Sequence, residues 1–517
     1  MIGSASAAAP GSPTYLETPP GQKPRVVITT DPELDDSNSL VRYLLYSADF
    51  RTEGLIYASS QFHWSGDGQR EAIPDGRDYR RLGRDLCPCL SWRWAPGERF
   101  IDEAVAAYAG AFPNLVRHDP GYSEPDVLRS RIRWGNVAFD GEMEQDTPGS
   151  DLIRDLLVDD EEAPIYLHAW GGGSTIARAL KSIEERYADT PEWSSIRAKV
   201  IRKAVIHPSG DQDDTFANYV RPHWPEIRYR MNKDGVELSY LAPLLASPAD
   251  AIFFSADWTR RNISTQGTLG AFYRVWGDGR QMVEGDIFDY FGIAGKSTGQ
   301  LREAGYNVWL PVQPAGSFIG EGDTPTFLNL IDNGLRGYRG DSYGGWGGYA
   351  DPAAQITSMR GPAEPQPTTG VPPELPQAPT HPFLEAAQRD FAARFAWATT
   401  ADYRAANHPP HIALATPRTM EVAPGERVVL GASVRDPDDD RVTLHWRQWR
   451  EVGSYAGSVA LQPDGAEGRV SLLVPGDVRP GDTLHLIVEA TDNGTPALTR
   501  YERVVLRVTG NLPEQGS

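Results

Sequence analysis

Apolar and polar positions along the chain follow two rhythms. Pro24 to Thr30 (PRVVITT) is a run of β-branched residues that predicts a buried strand, Ser37 to Tyr46 predicts a helix, and Glu53 to Ser59 (EGLIYAS) a second strand. The pattern recurs as a helix over Asp102 to Ala111, a strand at Ile165 to Trp170, a helix from Ser174 to Arg186, a strand at Val200 to His207 and an apolar run at Ala251 to Ser255. Strands alternating with helices predict an α/β fold, a mainly parallel sheet with flanking helices on both faces. Ligands of such sheets bind beyond the carboxyl ends of the strands, so Asp31, Ser60, Gly171 and Pro208 are expected on one rim.

The second rhythm begins near Pro409. Short alternating runs (RVVLGASV, RVTLHWRQW, RVSLLV, TLHLIVEA, ERVVLRV), broken by Asp, Pro and Gly, predict a C-terminal immunoglobulin-like β-sandwich. Between the two lies a proline-rich excursion at 356–382, which cannot pack as a helix or central strand, followed by a helix at Pro382 to Ala398. The expected organisation is a flexible segment at 1–21, an α/β domain at 22–405 and the sandwich at 406–517.

Composition narrows the partners. The chain has 517 residues, enough for about three domains. Fifty Lys and Arg against seventy Asp and Glu leave a net charge of −20, which repels a phosphate backbone or an anionic lipid surface and argues against nucleic acid. No stretch approaches the roughly 18 consecutive apolar residues of a membrane span. Fourteen Trp and 21 Tyr suit stacking on sugar rings. Cys87 and Cys89 flank Pro88, and so close a pair makes a strained disulfide. With no second Cys or Cys/His pair to complete a soft-metal site, they are read as loop residues without a role. The Ala/Ser/Pro-rich start is similar to the segment just past a signal cleavage site, so a secreted or periplasmic location is expected.

The densest chemistry is Thr29-Thr30-Asp31-Pro32-Glu33-Leu34-Asp35-Asp36, four carboxylates in six residues between a strand and a helix. Such crowding is costly unless a cation is present. Ca2+ takes about 6 to 8 oxygen ligands, and carboxylates at a strand end and a helix start can converge on one, helped by the helix dipole. Capping of the helix at Ser37 by Asp35 or Asp36 is the alternative for an isolated pair; the fourfold cluster favours the cation.

TTDPELDDSNSL resembles the nucleoside hydrolase signature, in which Asp-x-Asp-x-x-x-Asp-Asp binds calcium and ribose at the end of the first strand. Thr29 stands at the first Asp position, while Asp31, Asp35 and Asp36 fit. The segments GNVAFDGEMEQDTPGSDLI (135–153), HAWGGGSTIARALKSI (168–183), SGDQDDTFANYV (209–220) and GEGDTPTFLNLIDNGL (320–335) resemble, more specifically, the nucleoside-hydrolase-like domain of bacterial cellulose-binding proteins. The sandwich, entered through ANHPPHI (406–412), is similar to the second domain of that family.

The resemblance implies a Ca2+ cofactor and a set of roles. Asp31 would bind the ion and act as base for a Ca2+-held water, Asp36 would be the second carboxylate ligand, a carbonyl at about Ser174 a third, and Asp323 would close the sphere. Asp35 would face a sugar hydroxyl, Asn218 would hydrogen-bond the furanose ring, and Gln61 stands where the family has an Asn at the sugar. Attack in one step, with a base on one face and an acid on the other, implies inversion. Many nucleoside hydrolases carry a histidine immediately before the last calcium Asp, and here that position is Gly322. Replacement acids are Glu142, Glu144, Asp213, Asp214 and His63, each with a structural alternative: solvated loop charges for the two Glu, caps of the segment at Thr215 for the two Asp, a hydrogen-bonded core residue for the His.

Trp64 and Trp170 follow predicted strands and either stack on sugar rings or pack in the core. Trp346, within GGWGG, is expected at the pocket mouth. RDPDDDRVTLHW (435–446) resembles the acidic turn of cadherin-like or PKD-like repeats and is read as a solvated turn. The implied function is a Ca2+-dependent glycoside hydrolase acting on furanosidic or related glycan ends, with a carbohydrate as partner. The alternatives are a non-catalytic polysaccharide-binding (cellulose-binding) protein and, as a minor one, a nucleoside hydrolase; the oligomeric state is left open.

Overall fold

A computed structural model describes residues 14–71, 80–81, 84–340, 344–350, 356, 358–359 and 376–510. The main sheet consists of β1 (Arg25–Thr30), β2 (Arg51–Tyr57), β3 (Ile132–Trp134), β4 (Ile165–Ala169), β5 (Ala204–Pro208) and β6 (Arg228–Tyr229). Their spatial order is β3-β2-β1-β4-β5-β6, and every neighbouring pair is parallel. Side chains alternate along β1, so Val26 and Ile28 enter one core while Val27 enters the other, which explains why the whole strand is buried and reads as an unbroken apolar run. The strand order reverses between β1 and β4, and the crevice outside their carboxyl ends is where an open α/β sheet takes its ligand.

The flanking helices are α1 (Leu34–Leu45), α2 (Phe100–His118), α3 (Pro148–Val158), α4 (Ser174–Tyr187), α5 (Trp193–Lys203) and α6 (Leu384–Thr399). The start of α3 is set by Pro148 at its first position and by a reciprocal cap between Thr147 and Ser150. Among the described residues no helix is long and apolar enough to cross a membrane.

Eight further strands, β7 (His411–Leu414), β8 (Thr419–Val422), β9 (Arg427–Arg435), β10 (Thr443–Gln448), β11 (Gln462–Pro463), β12 (Arg469–Leu473), β13 (Thr483–Thr491) and β14 (Thr499–Val508), form two four-stranded sheets. Only β8 with β14 pairs in parallel; the other pairings are antiparallel. Val428, Leu430 and Leu472 from one sheet meet Leu484, Leu486, Val504 and Leu506 from the other in a shared core, the arrangement of a β-sandwich. Asp390 of α6 ties the two parts together, accepting from Arg394 on its own helix at 3.2 Å and from Arg500 of β14 at 2.6 Å.

Several expectations are corrected. The strand expected at Val200 to His207 begins at Ala204; Val200 and Ile201 are buried on α5 instead, because a short apolar run satisfies helix and strand alike. The apolar run at 251–255 is a single 3-10 turn, Ala251–Phe254. Cys87 and Cys89 are disulfide-bonded, their Cα atoms 4.5 Å apart and so within the reach of a bridge. Trp346 is wholly buried, not at a mouth: Gly345 and Gly347 lie where any Cβ would meet Asn329 or Pro325, which lets the loop close over the indole. Residues 1–13 of the expected flexible segment, and 357 and 360–375 of the proline-rich excursion, lie outside the described residues.

Candidate functional site

β1 ends at Thr30 and α1 begins at Leu34, so Asp31 and Glu33 occupy the tight turn between them, while Asp35 and Asp36 lie in the first helical turn, where the dipole favours negative charge. Residues 320–324 bring Asp323 to the same place. Carboxylate oxygens of Asp31, Glu33 and Asp36 lie within 4.8 Å of one another, and so do those of Asp35, Asp36 and Asp323. Asp36 belongs to both groups. Thr30 donates its hydroxyl to Asp36 Oδ1 at 2.5 Å.

Crowding and burial oppose ionisation. Burial, then the charge of Glu33, pushes Asp31 up to about 8. Burial, then Asp35, pushes Glu33 up to about 8 as well, and burial raises Asp35 to about 6. Burial followed by the charge of Asp323 holds Asp36 well above the usual carboxylate range, and burial followed by Asp35 does the same to Asp323. A cation removes this penalty by making the charged forms mutually compatible.

Buried polar side-chain atoms follow the carboxyl ends of four sheet strands, on Asp31 after β1, Gln61 after β2, Ser174 after β4 and Ser209 after β5. Among the described residues no hydrogen bond of normal geometry reaches either oxygen of Asp31, Asp323 Oδ2, the hydroxyls of Ser174 and Ser209, or either end of the Gln61 amide, although Ser60 lies against Asp31 and Ser209 against Asp323. Asp31 is 0% exposed and Asp323 3%. On the β4 side, Gly171 stands where a Cβ would lie 3.0 Å from Asp31 Cγ. Carboxylate oxygens from the β1–α1 turn, the first turn of α1 and the 320–324 loop fit an oxygen-seeking cation such as Ca2+.

Residues 25–349 match the family model described as "Cellulose-binding Sde182, nucleoside hydrolase-like domain". The chain belongs to this family. Residues 427–508 match the model "Cellulose-binding protein Sde0182, C-terminal domain". Among solved structures the chain is similar in fold to a nucleoside hydrolase-related hypothetical protein from Saccharophagus degradans that is associated with carbohydrate metabolism, at 24% identity and a TM-score of 0.66, covering 94% of this chain and 100% of that one. Murine CRIg is matched over 19% of this chain and 98% of that one, at 20% identity and a TM-score of 0.15. No curated protein matches the chain.

Position 322 departs from the nucleoside hydrolase pattern, glycine standing where many members carry histidine. The Gly322 N–H donates to Asp35 Oδ2 at 3.2 Å, and a Cβ there would stand 2.4 Å from the same oxygen. Beneath it Glu321, wholly buried, is bound by both Nε and Nη2 of Arg42, by the hydroxyl of Tyr273 at 2.6 Å and by Thr324 at 3.0 Å. Arg42 also donates to Gln388 of α6 at 2.7 Å. The loop carrying Asp323 is thereby fastened to α1, which carries Asp36.

The remaining residues singled out in the sequence fall into two sets. His63 is at the site: its Nδ1 is 2.8 Å from the Arg93 carbonyl, so that nitrogen carries the proton, and its bare Nε2 faces Glu33 Oε2 at 3.9 Å. Burial, then the charge of Arg93, holds His63 well below the usual imidazole range. Gln61 is buried and follows Ser60, whose hydroxyl lies against Asp31. Asp213 is engaged elsewhere, accepting from the Ser174 N–H at 2.9 Å and from the Thr215 hydroxyl at 2.7 Å, which anchors the start of α4. Glu142 is half-buried and accepts from the Glu144 N–H at 3.0 Å, while Glu144 pairs with Lys181 on the surface at 2.8 Å. Asp214 is half-buried with φ +60°, and exposed Asn218 donates its N–H to the Asp214 carbonyl. Trp64 and Trp170 are core residues, Trp64 packed against Phe139 and Trp170 donating its indole N–H to Thr326 at 3.0 Å.

Three residues at the site went unread in the sequence. Glu33 was visible within the acidic run but had no distinct role. Arg93, paired with Asp286 at 2.7 Å, and Tyr240, whose hydroxyl donates to Glu33 at 3.4 Å, sit on aperiodic loops that carry no sequence signal.

Proposed function

We propose that the protein is a Ca2+-dependent glycoside hydrolase acting on furanosidic or related glycan ends with inversion. The observation that carries this reading is Asp31: a wholly buried carboxylate at the strand-order reversal, with no hydrogen bond of normal geometry among the described residues and with four further carboxylates around it. Asp31, Asp36 and Asp323, with a carbonyl at Ser174, would hold the ion. Bound there, Ca2+ supplies the positive charge that keeps these carboxylates ionised and makes a nearby water more acidic.

Asp31 takes a proton from the water that attacks the anomeric carbon, and the leaving group departs from the opposite face. Asp35 orients a sugar hydroxyl. Gln61, whose amide has no hydrogen-bond partner among the described residues, donates to one hydroxyl and accepts from another, and Nε2 of His63 accepts from a third. The leaving group draws its proton from a carboxyl group near the opening. Half-buried Glu142 is the group assigned this role; Glu33, with its side chain 21% exposed, has an oxygen within 4.8 Å of one on Asp31, on the base's side and closer than the roughly 6.5–9.5 Å that separates the carboxyl groups of inverting enzymes. The carbohydrate association of the Saccharophagus relative and the cellulose-binding description of the family support a glycan over a nucleoside.

A second reading, glycan binding without cleavage, is favoured by Gly322 in place of a histidine and by the engagement of Asp213 with Ser174 and Thr215. Sugar release from aryl furanosides and polysaccharides, with and without chelator, in wild type and Asp31→Ala, separates the two. Chelator-sensitive release that Asp31→Ala loses supports hydrolysis; release that Asp31→Ala retains removes Asp31 from the mechanism. Turnover of inosine or uridine would revive nucleoside hydrolysis.

A further inference from the structure

Trp64, Trp170 and Trp346 are buried, so none of them offers an open ring to a sugar. Among the described residues, the large exposed hydrophobic side chains include two aromatics, Trp309 at 36% and Tyr403 at 37%. Tyr403 stacks on His408 with centroids 3.6 Å apart, near the entrance to the sandwich. Trp309 is placed differently. Its ring stands at 82° to both Tyr240 and Phe291, with centroids 5.1 and 5.6 Å away, and those two rings stack on each other at 5.4 Å. The Tyr240 hydroxyl reaches Glu33, which lies within 4.8 Å of Asp31 and Asp36. One ring and one hydrogen bond thus separate Trp309 from the carboxylate cluster.

The outward position of Trp309 is built into the backbone. Its neighbours Val308 and Leu310 are each 4% exposed and anchor the segment inward. The Tyr290 hydroxyl clamps Leu310 from both sides, accepting from its N–H at 2.7 Å and donating to its carbonyl at 2.9 Å, and Arg302 donates to the Val308 carbonyl at 3.2 Å. Leu241, 37% exposed, follows Tyr240, and Leu90, 54% exposed, is on the loop that carries Arg93. An indole held outward by its own backbone anchors, one ring from a cluster of carboxylates, offers a flat apolar face to a ligand. The acidic crevice and the net charge of −20 disfavour anionic occupants, whereas a neutral sugar ring presents a C–H face to an aromatic ring and hydroxyls to carboxylates.

We propose that Trp309, backed by Tyr240 and Phe291, is a platform for a sugar ring of a neutral glycan chain leading out of the carboxylate crevice. This rests on the reading that the crevice receives a glycan.

The test is affinity electrophoresis of wild type, Trp309→Ala, Trp309→Phe and Tyr403→Ala in gels containing hydroxyethyl cellulose or linear arabinan, with Ca2+ binding measured by calorimetry to verify an intact crevice. Trp309→Ala is expected to weaken binding to at least one polymer by about tenfold. Trp309→Phe should retain most of the affinity, Tyr403→Ala all of it, and Ca2+ binding should be unchanged in each. Wild-type affinity in Trp309→Ala, or no affinity of wild type for either polymer, overturns the platform. Weakened binding by Trp309→Ala alongside undiminished sugar release by Asp31→Ala would leave the platform standing and sink the hydrolytic mechanism; the reverse pattern would do the opposite.

Discussion

The N–H of Gly322 donates to Oδ2 of Asp35, and a side chain at 322 would occupy the space of that oxygen. This hydrogen bond ties the strap carrying Asp323 to the helix carrying Asp36, and the histidine that many nucleoside hydrolases place at this position would have to displace the Asp35 carboxylate. Restoring that residue should harm the site. Gly322→His is expected to lower Ca2+ affinity by at least about tenfold, the cost typical of disturbing groups that orient metal ligands, and to produce no inosine hydrolysis. Calorimetric titration with Ca2+ and a nucleoside assay check both; wild-type Ca2+ affinity in the variant would contradict the steric account.

Metal-free protein should lose stability as pH rises. Asp31, Glu33 and Asp35 have folded values raised to about 8, 8 and 6, chiefly by burial, so they bind protons more tightly folded than unfolded. Their contribution is fully present below the unfolded carboxylate value of about 4 and is lost as pH climbs through 6 to 8. Ca2+ displaces those protons, so the rise in Tm on adding Ca2+ should be larger at pH 8 than at pH 5. Melting curves in chelator and in Ca2+ across that range test it; an equal rise at both pH values would contradict it.

At the acid end the sign reverses. Burial raises Asp390, but Arg500 and Arg394 outweigh it and bring its carboxyl down to about 2. Its contribution is present above about 4 and is lost as pH falls toward 2. Asp390→Asn should therefore remove part of the acid dependence of stability between pH 4 and 2, read from urea midpoints at each pH.

The Arg42–Glu321 pair is wholly buried and fastens α1 to the Asp323 strap. Arg42→Ala leaves the Glu321 carboxylate buried without its guanidinium, and a loss of about 3–5 kcal/mol is expected by urea denaturation. A loss under 1 kcal/mol would show that the pair does not hold this joint.

Glu33 and Glu142 can be told apart by kinetics. If Glu142 donates the proton to the leaving group, Glu142→Gln should lower kcat by about 10²–10⁴. Aryl glycosides with good leaving groups should recover most of the Glu142→Gln loss, because they need no proton, and should recover none of a Glu33→Gln loss. Rescue at Glu33 and not at Glu142 would move the role to Glu33 and contradict inversion.

What was legible in the sequence follows from local patterning. β1, β2 and β4 lie on both-faces-buried runs, and the Asp31 to Asp36 cluster sits directly after one of them, so strand, turn and site could be read together. Asp323 is 287 residues beyond Asp36, with no periodic link between them, and was reached through the motif GEGDTP alone. Arg93, Tyr240 and Trp309 lie on loops whose paths are set by tertiary packing, such as the Tyr290 clamp on Leu310, and no local pattern encodes that. Burial of Trp64 and Trp170 was equally invisible, since a Trp ending an apolar strand looks the same whether it is covered or open.

The most direct measurement is the metal content of the purified protein together with chelator-dependent sugar release by wild type and Asp31→Ala. The account expects a tightly held Ca2+, release that chelator abolishes and Ca2+ restores, and a folded Asp31→Ala that releases nothing. Metal-free protein that binds polysaccharide and releases no sugar, or an Asp31→Ala variant with full activity, would contradict it.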